Sequence, residues 1–117
     1  MSREKLIKVA VGGALIGAGI AATFTADGRQ DVQGGCTADI YKTDIVGAFG
    51  QGGITLPKTP KGDTIILMDA QENRITRAHE LGHAEQYCEE GAIPFITNYV
   101  KDPQKYERDA DKRAARK

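Results

Sequence analysis

The chain has no tryptophan, and its other aromatics amount to three phenylalanines and four tyrosines in 117 residues. So few large rings exclude a generous core, and a domain this small calls for an added staple such as a metal or a disulfide. Net charge is missing too: sixteen basic residues cancel sixteen acidic ones, and the pI is near 6.7. That balance leaves no broad positive field for a phosphate backbone and argues against a nucleic-acid partner. Histidine and cysteine are scarce, two of each. Their positions are therefore informative.

Both histidines fall in one pentapeptide, His79-Glu80-Leu81-Gly82-His83, an H-E-x-x-H pattern. On an α-helix a spacing of four puts both imidazoles on one face, close enough to ligate one tetrahedral zinc ion. Glu80 then sits about 100° round the helix, beside the metal rather than on it. From there it is placed to take a proton from a zinc-bound water, whose pKa the metal lowers to about 7.

Val9 to Ala26 carries no charge, and its length of roughly eighteen residues is near the lower limit for crossing a bilayer. Arg3, Lys5 and Lys8 precede it. By the positive-inside rule the N-terminus stays cytoplasmic and the rest crosses. A retained anchor is expected over a cleaved signal peptide, because the cleavage options around Thr23 to Ala26 are only fair. If the segment were cleaved, the domain would be exported or periplasmic. Gly13 and Gly17 stand in small-x-x-x-small spacing, which would let two such helices pack as a homo-oligomer. The polar, glycine-rich residues Asp27 to Gly35 read as a linker. The chain thus divides into 1–30, an anchor or signal segment with linker, and 31–117, a small folded domain.

Cys36 and Cys88 would form a disulfide if the domain is exported, and remain two free thiols otherwise. Closing that loop would contribute roughly 4 kcal/mol in the chain-entropy model. Tyr41 to Phe49 reads equally as a short helix or a strand. Ile54-Thr55-Leu56 and Thr64 to Met68 are β-prone runs around a segment rich in turn formers, the pattern of a hairpin. Asp69 and Glu72 have capping-box spacing, predicting a helix from near Ala70 through both histidines, with Gly91 and Pro94 as its stop. In it Ala78, Leu81, Gly82, Ala84 and Cys88 lie opposite the histidines, and Glu85 intrudes on that arc. Gly82 costs a helix about 1 kcal/mol relative to alanine, which suggests that another backbone passes close there. After an apolar piece from Pro94 to Val100, Asp102-Pro103 supplies an N-cap and a first-turn proline for a last helix. Lys112, Arg113, Arg116 and Lys117 suit that helix's negative end. The expected fold is α+β: a hairpin or short sheet, an H-E-x-x-H helix and a C-terminal glutamate-bearing helix, after an N-terminal hydrophobic helix.

A hydrolytic zinc wants three protein ligands and one open position. With no third histidine, the remaining ligand is a carboxylate or a cysteine. Glu107 is the choice because it lies in a separate predicted helix, with Asp111 one turn later to accept the outer N–H of a ligating histidine. Asp109 and Asp111 are the alternative ligands.

His79-Glu80-Leu81-Gly82-His83 followed by Glu107-Arg108-Asp109-Ala110-Asp111 resembles the gluzincin metallopeptidases, in which H-E-x-x-H is followed by E-x-x-x-D on a later helix. Gln86, three past His83, and the later E-x-x-A-D also look like small bacterial metallopeptidase-like domains. The resemblance covers about Thr64 to Ala115. It implies that His79, His83 and Glu107 bind Zn2+, that Glu80 is the general base, that Asp111 supports His79, and that a peptide or protein is the substrate. It also implies strand addition of an extended substrate, with Thr64 to Met68 as the receiving strand. Larger gluzincins use a further subdomain to supply an oxyanion-stabilising His or Tyr, for which these residues leave no room. Tyr99 and Tyr106 are the substitutes on offer. The functional expectation is a membrane-tethered zinc metallopeptidase with its domain on the non-cytoplasmic side. The competing expectation is a non-catalytic, zinc-stabilised, membrane-anchored structural or binding protein of an envelope or virion.

Overall fold

The structure is a computed structural model that describes residues 24–44, 52–70 and 74–117. Among the described residues four strands come first: β1 (Thr25–Val32), β2 (Cys36–Thr43), β3 (Gly53–Pro57) and β4 (Thr64–Asp69). Three helices follow: α1 (Arg74–Glu90), α2 (Ala92–Lys101) and α3 (Pro103–Ala114). The sheet is mixed, in the order β1-β2-β4-β3, with β2 and β4 parallel and the outer pairs antiparallel. The α+β expectation holds at this level.

The expected hairpin forms as β3 and β4, with Ile54 opposite Leu67 and Leu56 opposite Ile65. Its turn closes through Lys58 N to Asp63 O at 2.8 Å and Gly62 N to Thr59 O at 3.2 Å. Gly62 has φ +113°, and a Cβ there would lie 2.4 Å from Tyr87 O and 2.6 Å from Cys88 Cα. The turn therefore lies directly on the α1 backbone, a fit open to glycine alone.

Several expectations need correction. The stretch read as a linker is strand β1 and the loop Gln33–Gly35; Thr25 and Ala26, the end of the apolar run, open that strand, and the sheet starts ahead of the boundary at Asp31. Only Val32 of β1 is buried. An exposed edge strand held by its backbone ladder leaves no alternating pattern to read. Asp69 ends β4, pairs with Thr43 and donates its N–H to Gly52 O at 2.9 Å, and residues 71–73, where the expected capping box would act, lie outside the described residues. The described part of α1 starts at Arg74, and Glu72 lies outside the described residues. Pro94 does not end α1 but sits in the first turn of α2, where a missing N–H costs nothing. β4 is flanked on both sides, so its backbone is already used and it cannot receive an added strand. Of Tyr41 to Phe49, Tyr41 to Thr43 belong to β2, and residues 45–49 lie outside the described residues. So do Val9 to Thr23, with Gly13 and Gly17. Among the described residues no helix is long and apolar enough to cross a membrane.

Helix α1 is the centre of the domain, buried without a break from Glu80 to Tyr87. One side packs on the sheet, where Leu81 and Ala84 join Ala38, Ile40, Ile66 and Met68. Another joins Tyr87 to Phe95, Tyr99 and Tyr106, which gathers four of the scarce aromatics into one cluster. Ring centroids there lie 4.0 Å (Tyr87–Phe95) and 5.1 Å (Phe95–Tyr106) apart. Cys36 and Cys88 are disulfide-bonded, tying the start of β2 to the end of α1.

The close approach expected at Gly82 is to α3: a Cβ there would meet Ala110 O at 2.9 Å and Ala110 Cα at 3.1 Å. Glu85, the acid on the arc opposite the histidines, receives Arg113 at 3.2 Å and Lys117. These cations serve α1 rather than only the end of their own helix. Gly82→Ala tests the helix contact, because helix propensity and packing have opposite signs there. Propensity favours alanine by about 1 kcal/mol, whereas overpacking against a backbone costs about 1–3 kcal/mol. Urea unfolding should find the variant less stable than the wild type.

Candidate metal centre

His79 and His83 come from the middle of α1, and Glu107 comes from the first half of α3. The start of α3 is set by Asp102, whose carboxylate accepts from Lys105 N at 3.3 Å, with Pro103 in the first turn as the sequence predicts. The helix then delivers Glu107 to the histidines. Glu107 Oε1 is 2.9 Å from His79 Nε2, and Oε2 is 3.2 Å from His83 Nε2. One ligand atom from each of the three residues lies within 4.8 Å of the others. A tetrahedral zinc holds its ligand atoms roughly 3.3–3.5 Å apart, so little movement would seat an ion among them. These three residues form a group that could hold a metal ion.

The outer ring nitrogens decide what the inner ones can do. His79 Nδ1 is 2.7 Å from Asp111 Oδ1, and a carboxylate there requires Nδ1 to carry hydrogen. His83 Nδ1 is 2.8 Å from Gln86 Oε1. Gln86 is held in that orientation because its Nε2 donates to Tyr106 O and to Asp109 Oδ2, each at 2.9 Å. With both Nδ1 atoms donating outward, two neutral imidazoles would point Nε2 lone pairs at the Glu107 carboxylate. Such an array is repulsive unless a cation, a proton or a metal ion, stands in the middle. The donor set and its tautomers fit zinc.

The titration behaviour expresses the same demand. The hydrogen bond to Glu107 raises His79 from its ordinary 6.5 to about 9, against the opposing effect of burial and with further help from Glu80 and Asp111. Burial pushes the Glu107 carboxyl up, but hydrogen bonds from His79, His83 and Tyr99 together outweigh it and hold the group well below the usual carboxylate range.

Glu80 is buried beside this group without belonging to it. Thr55 of β3 donates to Glu80 Oε1 at 2.8 Å, and its hydroxyl also lies 3.1 Å from Glu80 O. Gly53 leaves room for the same side chain, since a Cβ there would fall 2.9 Å from Glu80 Cγ. The base candidate is thus fixed by the edge strand of the sheet. Asp109 turns to Gln86 and Arg113. Tyr99 donates to Glu107 Oε2 at 2.6 Å, whereas Tyr106 sends its hydroxyl to Glu90 at 2.9 Å. Gln86, singled out in the sequence by its place three past His83, lies on the same helix face, and its contact with His83 Nδ1 follows from that spacing. Thr55 left no signal, because only the tertiary fold brings β3 to α1.

No family model, no curated protein and no solved structure matches the chain. The geometry of the group is therefore what any functional reading must stand on.

Metal and proton compete for the same nitrogen, which gives a measurable linkage. Because the folded-state value of His79 lies above its unfolded value, its charge stabilises the metal-free fold fully below pH 6.5. That contribution is lost as pH rises through about 9. Metal-free protein should accordingly melt at progressively lower temperature between these two values, and the slope should flatten in His79→Asn. At pH 7, zinc binding should release about one proton from this site. Calorimetry in buffers of different ionisation enthalpy measures that number, and zero would mean that the metal sits elsewhere.

Proposed function

We propose that the chain is a small zinc metallopeptidase of gluzincin type, hydrolysing peptide bonds in a peptide or protein substrate. The observation that carries this reading is the meeting of His79, His83 and Glu107 with both histidine tautomers directed inward, and with Glu80 buried alongside. Zinc bound there would polarise the scissile carbonyl and lower the pKa of a ligated water to about 7. Glu80 takes the proton from the attacking water and passes it to the leaving amine, its carboxylate steadied by Thr55. Asp111 and Gln86 hold the two imidazoles in the required tautomers.

The peptide reading draws support from β3, the outer strand on the Glu80 side of the sheet. The bond from Asp69 N to Gly52 O sets the register, so that Ile54 and Leu56 turn their backbone groups toward β4. Gly53 and Thr55 then turn theirs to the other side of β3, where no described strand pairs, next to Glu80. An extended peptide added there would run past the base candidate, a role that buried β4 cannot take. The apolar run that precedes β1 would tether the domain to a membrane. The Cys36–Cys88 disulfide supports an oxidising, non-cytoplasmic side.

One observation favours a second reading, a zinc-stabilised structural domain without catalysis. Both tyrosines that might steady an oxyanion already hydrogen-bond carboxylates, Tyr99 with Glu107 and Tyr106 with Glu90. Glu80→Gln separates the two readings. Elemental analysis should find one zinc per chain in wild type and in Glu80→Gln, and less in Glu107→Ala. Hydrolysis of a peptide library should be lost, by about 100-fold or more, in Glu80→Gln. Zinc without hydrolysis in the wild type would leave the structural reading standing. No zinc in the folded wild type would sink both.

A further inference from the structure

Tyr99 of α2 is 1% exposed. Its ring lies 5.7 Å from that of Phe95, 6.1 Å from Tyr106 and 6.2 Å from His83, so apolar packing fixes where the hydroxyl points. It points at Glu107 Oε2, 2.6 Å away. A phenol has one proton to donate. Spent on Glu107, that proton is not available to an oxyanion, and the residue acquires a different task.

Both oxygens of Glu107 border the space between the imidazoles, Oε1 at His79 Nε2 and Oε2 at His83 Nε2. A carboxylate so placed has two ways to hold a cation, with one oxygen or with both. The number matters, because a catalytic zinc needs three protein ligand atoms and one open position, and a second oxygen would crowd that position. A short hydrogen bond to a charged oxygen draws off its electron density and pins the plane of the carboxylate. The Tyr99 hydroxyl bonds Oε2, while Oε1 faces His79 Nε2. We propose that Tyr99 is a positioning residue that keeps Glu107 a one-oxygen metal ligand through Oε1, so that the fourth position stays open. This inference rests on the metal reading given above.

Tyr99→Phe removes the hydroxyl and keeps the ring. Tyr106→Phe is the matched control, since it removes a hydroxyl from the same aromatic cluster that is bonded to Glu90 instead. Full-length wild type and both variants are checked for folding by thermal melting, then titrated with zinc and, separately, with cobalt(II), whose visible absorption reports coordination number. Tyr99→Phe should bind zinc about 10-fold more weakly and lose visible cobalt intensity, the signature of a move from four toward five ligands. Tyr106→Phe should match wild type on both readouts. A wild-type cobalt spectrum in Tyr99→Phe would overturn the proposal. So would equal weakening of zinc binding in both variants with no spectral change, because that is a packing effect. Wild type that takes up neither metal would overturn the metal reading itself, an outcome distinguishable because it is settled before either variant is compared.

Discussion

The site depends on one contact, the approach of the α3 backbone to α1 at Gly82. That glycine lies between the two histidines, and Ala110 enters where its side chain would be. Glu107 precedes Ala110 by three residues and Asp111 follows it directly, so all three share one face of α3. Seating Ala110 on Gly82 therefore sets both the depth and the rotation of α3. Glu107 arrives at the inner nitrogen of His79, and Asp111 at the outer one. A single steric fit between two backbones fixes the candidate ligand Glu107 and its neighbour Asp111 together.

Charge organises the remainder of this helix pair. Arg113 of α3 gathers Glu85, Glu89 and Asp109, and Lys117 adds a second cation to Glu85. The ion pairs raise Arg113 above its already high ordinary value, Glu89 contributing most against the cost of burial. Partly buried pairs of this kind recover much of what they lose on desolvation only when their geometry is good and every oxygen is occupied. Asp109 also receives Gln86, so a continuous polar path runs from His83 through Gln86 and Asp109 to Arg113. The network thereby steadies a metal-ligand candidate while it joins the two helices.

Short-range signals explain what could be read from the sequence. The histidine spacing, the Asp102-Pro103 helix start, the β3–β4 hairpin and the crowding at Gly82 each depend on residues within a few positions of one another. So does the pairing of Glu107 with Asp111 on one face. β1 was illegible because only one of its residues is buried, and the central place of β4 because strand order is a long-range property. The partner of Tyr99 and the support of Glu80 by Thr55 were hidden for the same reason: each joins elements that no local pattern connects. Glu85 has its cations 28 and 32 residues downstream, beyond the reach of any local pattern.

The disulfide divides the candidate ligands unequally. Cys36 and Cys88 enclose β2, β3, β4 and nearly all of α1, and with them His79, His83, Glu80 and Thr55. Glu107 lies outside that loop, on the last helix. During synthesis the loop can close, and the sheet with its central helix can take shape, while Glu107 has still to emerge. A nascent chain at that stage holds the two imidazoles without Glu107. Any ion held by all three residues would thus require a chain whose final helix has docked.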